Sequence, residues 1–287
     1  MKVTALAPWF GSARMNASRI GEEIGKQDWV GIPFCGGCCE VPHIKARSIY
    51  LNDVHNHIVT LAMTVADAPE FHAMQEMLED VLVHPAYLLE ARKYTAAMEE
   101  QGREPQPDAD WAAAYFTNVW ISRSSAGTED EFKQPLASRM TATGGSSVRR
   151  WRSALEALPE WHQVLKERCE FSCRDWRDWL EQTKDRPGHA LYIDPPWQDA
   201  GKEYKHKFTE QDHRDLADVL HGYENCRVVI RHSDHPLYRE LYPDWTWVEL
   251  SSRNQANKVI REMLVTNKTQ TRRIVKPQPI SMELDNE

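Results

Sequence analysis

The run Ala190-Leu191-Tyr192-Ile193, ending in Asp194-Pro195-Pro196-Trp197, constrains what this chain can fold into more than any other stretch. Consecutive apolar residues of this length read as a buried strand. The prolines lack an N–H for a sheet ladder and hold φ at about −65°, so the strand must open there into a rigid polar loop.

The N-terminal third supplies companion strands. Asp28 to Ile32 is a short apolar strand followed by Pro33-Phe34-Cys35-Gly36-Gly37, and Ser48 to Leu51 is a second, ending in Asn52-Asp53. Ile58 to Val65 has a helical pattern. The expected order is strand, glycine turn, helix, strand, acid, helix, the beginning of a parallel α/β sheet. From Pro69 to Arg186 the rhythm breaks, in a stretch rich in helix formers that carries Trp111, Trp120, Trp151, Trp161, Trp176 and Trp179. Strand character is expected to return only at Ala190. Gln211 to Leu220 then reads as an amphipathic helix, Arg227 to Ile230 as a strand, and Trp245 to Leu250 with Glu262 to Val265 as a closing antiparallel pair. The expected division is 1–68, a helical insertion over 69–186, 187–266, and a tail over 267–287 whose low apolar content predicts disorder.

At 287 residues, 41% of them hydrophobic, the chain can bury the core of one large domain with an insertion. No stretch approaches the ~18 apolar residues of a membrane span. The first residues lack the pattern of a secretion signal, so a soluble, cytoplasmic protein with no membrane partner is expected. Cys35, Cys38, Cys39, Cys169, Cys173 and Cys226 do not read as a disulfide framework in a chain this long. Cys35 and Cys38 have zinc-ligand spacing, but the nearest possible partners, Cys169 and Cys173, are distant in sequence and no metal is expected. His206, His213 and His232 show no metal spacing either. A net charge of −8 argues against indiscriminate coating of nucleic acid, yet Arg139 to Arg152 carries four arginines and no acid, a local basic stretch.

A glycine turn after a strand lets a ligand approach backbone N–H groups, although packing alone also calls for glycine at such turns. Asp53 lies 17 residues after Gly36, where nucleoside-binding α/β folds place an acid on the ribose hydroxyls; it fits a helix N-cap equally well. The Asp194 loop suits an exocyclic amine, whose lone pair is delocalised into its ring. The Asp194 carboxylate can accept one N–H and the Pro195 carbonyl the other, in a direction set by Pro195 and Pro196. Trp197 offers a flat face to a base lifted from its stack. The alternative is a plain Pro-Pro turn.

Taken in order over roughly residues 6–266, these elements resemble the D12 class of DNA adenine N6-methyltransferases, the Dam-like enzymes, and in particular a phage and bacterial branch of it. Ala7-Pro8-Trp9-Phe10-Gly11-Ser12 is similar to the first motif of that class, which closes over the methionine end of the cofactor. Pro33 to Gly37 is similar to the second, Asn52-Asp53 to the third, and Asp194 to Trp197 to the catalytic loop. The resemblance implies a Rossmann-like methyltransferase sheet, α/β in class, with an inserted and mainly helical target-recognition region. It implies S-adenosyl-L-methionine as cofactor, held by Trp9, Gly11, Phe34, Gly36, Gly37, Asp53 and Asp194, and a catalytic loop of Asp194, Pro195, Pro196 and Trp197. The implied activity is site-specific methylation of adenine N6 in duplex DNA by base flipping, with no obligate protein partner, in a bacterial or phage-infected cell. Two positions depart from the pattern. Ala13 stands where the first motif usually has lysine and Ile32 where the glycine motif usually has an acid; either cofactor binding is weakened, or Arg14 and Glu40 substitute.

The insertion is then expected to read DNA, through Trp120, Ser122, Arg123, Arg139, Arg149, Arg150 and Arg152. The competing reading makes the tryptophans core and the arginines a solvated face. RNA adenine methylation, cytosine-N4 methylation and a nucleic-acid-binding regulator on the same fold stand as alternatives.

Overall fold

The computed structural model describes residues 5–123, 126–137, 146–199, 203–253 and 259–267. Arg139 and the tail from residue 268 lie outside the described residues.

The Ala190–Ile193 run forms most of β4 (His189–Ile193), and its side chains alternate between two cores. Ala190 and Tyr192 pack on one face of the sheet, Leu191 and Ile193 on the other. Because side chains alternate along a strand, a wholly apolar run is what a strand covered on both faces requires. Its neighbours β1 (Lys26–Ile32) and β5 (Arg227–Ser233) are both parallel to it. Outward from β1 lie β2 (Lys45–Asn52) and β3 (Cys169–Ser172), again parallel. On the other side β7 (Val259–Thr266) runs antiparallel to β5 and pairs with β6 (Thr246–Arg253). The seven-stranded order is β3-β2-β1-β4-β5-β7-β6.

Helices α1 (Ala17–Ile24), α2 (Asn56–Ala66) and α6 (Ser147–Arg168) cover one face. On α2 pack α3 (Ala68–Glu79) and α5 (Ala109–Ile121), with α4 (Pro85–Glu100) against α5. The other face carries α7 (Trp176–Glu181), α8 (Glu210–His221) and α9 (Pro236–Leu241). All six tryptophans of the 69–186 stretch are buried. Among the described residues no helix is long and apolar enough to cross a membrane.

Two expectations are corrected. Strand structure returns at Cys169, not at Ala190: β3 begins on the residue that caps α6 and pairs Leu51 with Phe171, so part of the expected insertion belongs to the sheet. Between β1 and β2 there is no helix of normal length, only a single 3-10 turn at Val41–His43. Gly36 and Cys38 take φ of +42° and +58° there, and Pro42 has no N–H, so the connection turns too sharply to wind further.

The chain runs outward from β1 through β2 to β3 and then returns to β4 on the opposite side of β1. In open α/β sheets such a reversal opens a crevice at the carboxyl ends of the strands, where ligands bind. The glycine turn, Asp53 and Asp194 follow the carboxyl ends of β1, β2 and β4 respectively.

Candidate active site at the carboxyl edge of the sheet

Asn52, the last residue of β2, is fully buried and ties three strand ends together. Its Nδ2 donates to the carbonyls of Pro33 (3.1 Å) and Arg174 (3.0 Å), and its Oδ1 accepts from the Ser172 hydroxyl (2.8 Å) and the Arg174 N–H (3.1 Å). The glycine turn is thereby fixed beside Asp53. One oxygen of the Asp53 carboxylate accepts the Gly36 N–H at 2.8 Å and the other the His55 N–H at 3.0 Å. His55, not Asp53, occupies the N-cap of α2, which removes the helix-cap reading of this acid. Burial raises the Asp53 carboxyl above its ordinary range, against the pull of the Gly36 N–H.

Trp9 packs onto this turn. A Cβ on Gly36 would lie 2.8 Å from Trp9 Nε1, and one on Gly127 2.7 Å from Trp9 Cζ2, and both glycines have positive φ. Only glycine satisfies both constraints at these two positions. From the loop after the Pro-Pro motif, the Tyr204 hydroxyl donates to the Phe10 carbonyl (3.3 Å), and the two rings meet edge to face at 5.1 Å.

Asp194 is held by three donors. Its Oδ2 accepts from Arg231 Nη1 (2.8 Å) and the Tyr192 hydroxyl (3.1 Å), and its Oδ1 from the Trp197 indole N–H (3.3 Å). Arg231 lies on β5 and is 2% exposed. It also donates to Glu262 at 2.9–3.0 Å and to the Gly11 carbonyl at 2.8 Å, and its guanidinium lies 4.7 Å from the centre of the Trp197 ring. Two carboxylates thus compensate one buried cation. Burial pushes the Asp194 carboxyl up while Arg231 pulls it down, and the upward push prevails. A carboxylate oxygen has two acceptor directions. Those of Oδ2 are both used, whereas the bonds of Oδ1 leave one for a further donor.

A cavity of about 270 Å³ opens among these parts. Trp9, Gly11, Phe34, Gly36, Gly37, Asp53 and Asp194 all line it, so the residues expected to hold a cofactor reach one space. Of the remaining loop residues, Pro196 lines it, Pro195 is buried, and Trp197 meets Arg231. Glu40 also lines the cavity, whereas Arg14 is exposed and does not. Among the described residues no group of three His, Cys, Asp or Glu side chains is placed to hold a metal ion.

The family model for D12 class N6 adenine-specific DNA methyltransferases matches residues 9–256, most of the chain. The chain belongs to this family. It is an S-adenosylmethionine-dependent DNA adenine-N6 methyltransferase, and its mixed seven-stranded sheet is consistent with a Rossmann-like methyltransferase fold. A comparison with curated proteins finds no match.

In this methyltransferase the residues expected to face DNA divide. Trp120 and Ser122 are buried, and the Trp120 indole N–H donates to the Leu6 carbonyl (3.1 Å), so neither presents a surface. Arg123, Arg149 and Arg152 are exposed. Arg150 is half-buried, donates to the Ser122 carbonyl (3.2 Å) and lies 5.2 Å from the Trp120 ring. That contact joins the 120–123 segment to the first turn of α6. Arg231 escaped notice in the sequence because the expected strand ended at Ile230, three residues short of the end of β5. The signal was an arginine directly after a strand's apolar run, a charge that must find partners if the strand is buried.

Proposed function

We propose that the cavity at the carboxyl edge of the sheet holds S-adenosyl-L-methionine and that the Asp194–Trp197 loop directs the methyl group onto N6 of an adenine flipped out of duplex DNA. The observation that carries this reading is the convergence of the glycine turn, Asp53 and Asp194 on one space at the reversal point of the sheet. The lining suits such a donor: an acid for the ribose hydroxyls, Phe34 and Phe208 as aromatic walls for a base, and carboxylates around a positive charge. When bound, the cofactor supplies a methyl group activated by a sulfonium.

The chain's own residues do the rest. Asp194 Oδ1, with one acceptor direction left, takes one hydrogen of the adenine amine, and the Pro195 carbonyl is the acceptor assigned to the second. Binding both hydrogens localises the nitrogen lone pair. Once methylated, the nitrogen is cationic and carries a surplus proton. Asp194 stabilises that charge, and its raised carboxyl suits it to receive the proton before solvent does. Trp197, one face of which meets Arg231, offers a stacking surface to the base. Exposed Arg123, Arg149 and Arg152 contact phosphates, and Arg150 fixes the 120–123 segment.

Incubation with labelled S-adenosylmethionine and either unmethylated duplex DNA or RNA, followed by nucleoside analysis, tests the reading. N6-methyladenine in DNA is expected. Label found only in RNA, or as N4-methylcytosine, would overturn the acceptor assignment.

A further inference from the structure

Glu40 closes the glycine turn just before the Val41–His43 turn, is 5% exposed, and still lines the cavity. Its surroundings give it little. The Cys39 thiol donates to Oε1 at 3.0 Å, and that sulfur accepts from the Ser12 hydroxyl at 3.3 Å. A thiol is a weak donor. Among the described residues no lysine, arginine or histidine lies within ion-pair distance of Glu40. The nearby cation, Arg231, is committed to Asp194, Glu262 and the Gly11 carbonyl. Burial, followed by the negative charge of Asp194, raises the Glu40 carboxyl to about 7.

A buried carboxylate without a cation is costly, and the cost is removed when a cation enters the same space. Glu40 and Asp53 mark different parts of the cavity. Asp53 is bound to Gly36 and His55, whereas Glu40 adjoins Cys39 and Ser12 and feels Asp194 and Arg231. It belongs to the catalytic-loop end. At the position where the resembled glycine motif has its acid, this chain has Ile32, fully buried in the core.

We propose that Glu40 is the counter-ion for the α-ammonium group on the amino-acid end of the methyl donor. The inference rests on reading the cavity as the donor site. Glu40 acts as a binding residue: it takes no proton from the reacting amine and places the donor by pairing with its charged end.

Calorimetric titration of the full chain with S-adenosylmethionine and two of its analogues tests it. S-adenosylhomocysteine keeps the α-ammonium and lacks the sulfonium, whereas 5′-methylthioadenosine lacks the amino-acid end altogether. Glu40→Gln is expected to weaken S-adenosylhomocysteine binding by about 30-fold or more, the scale for removing one partner of a desolvated charge pair. It should leave 5′-methylthioadenosine binding unchanged, which also reports that the variant is folded. Glu40→Asp, keeping the charge one methylene further back, should show a smaller loss on the first analogue and none on the second. Wild-type affinity of Glu40→Gln for S-adenosylhomocysteine would overturn the proposal, as would an equal loss for both analogues, which would make Glu40 a shaper of the cavity. A loss for S-adenosylmethionine without one for S-adenosylhomocysteine would assign Glu40 to the sulfonium instead. If the wild type binds none of these ligands, the donor-site reading falls, and this inference with it.

Discussion

Arg231 stands between two acids, Asp194 and Glu262, and is nearly sealed from water. Truncating a partner of such a group leaves uncompensated charge in a dry place. Arg231→Met should destabilise the protein by about 3–5 kcal/mol in urea unfolding. Adding Glu262→Met should recover part of that loss, because one of the two carboxylates that Arg231 compensates is then gone. A single variant within about 0.5 kcal/mol of wild type, the range of ordinary surface substitutions, would contradict the network. His232 is a second buried group with a measurable signature. It stacks on Tyr238 at 4.0 Å, and burial pushes it down to about 3 from an ordinary value near 6.5. Between these values the unfolded chain binds a proton that the folded form refuses. The stability contributed by the neutral imidazole is therefore complete above pH 6.5 and is lost as the pH falls below it. His232→Phe should reduce the slope of stability against pH, measured from pH 6 to 4, by up to about 1.4 kcal/mol per pH unit. An unchanged slope would mean that His232 is not held neutral.

The elements differ in how openly the sequence declared them. β4 was legible because burial on both faces demands an unbroken apolar run, and the prolines mark its end. β3 was not: Cys169-Glu170-Phe171-Ser172 lies at the sheet edge, partly exposed, and starts inside the cap of α6 with no turn between. The turn after β1 was read correctly as a glycine turn, but its shortness follows from backbone angles that sequence patterns do not report. What joins these elements is Asn52, which a sequence reading placed only as the neighbour of Asp53. Asn52→Ala would leave the buried Pro33 carbonyl without this donor, at about 1–3 kcal/mol, and would release the part-buried Arg174 carbonyl and N–H at a smaller cost. Thermal unfolding should drop, and S-adenosylhomocysteine affinity should drop with it, since the turn beside Asp53 loses its anchor. Loss of neither would show that the strand ends hold themselves.

At the scale of the whole molecule, three strand ends and one N-terminal segment meet at a single cavity, and this much was legible from motif order. The network around Asp194 was not, because Arg231 meets partners 31, 37 and 220 residues away, separations over which no local pattern carries information. Which members of the expected DNA-facing set lie on the surface was not legible: tryptophan and arginine are equally at home in a core or on a surface, and only packing separates buried Trp120 from exposed Arg123. With a net charge of −8, attraction to DNA requires a local basic surface and does not follow from the charge of the whole molecule. Replacing Arg149 or Arg152 by alanine should weaken DNA binding across sequences and reduce the slope of log affinity against log salt by about 1 for each phosphate left unneutralised, read by fluorescence anisotropy. An unaltered slope would remove that residue from the DNA surface. The proposed chemistry requires Asp194 to act on the amine from within the cofactor cavity. Single-turnover transfer to duplex DNA by wild type and Asp194→Ala tests it most directly, with 5′-methylthioadenosine binding measured on the same samples to show the cavity intact. N6-methyladenine is expected from the wild type and a rate at least about 100-fold lower from the variant, at unchanged 5′-methylthioadenosine affinity; transfer by Asp194→Ala at the wild-type rate would remove Asp194 from the chemistry.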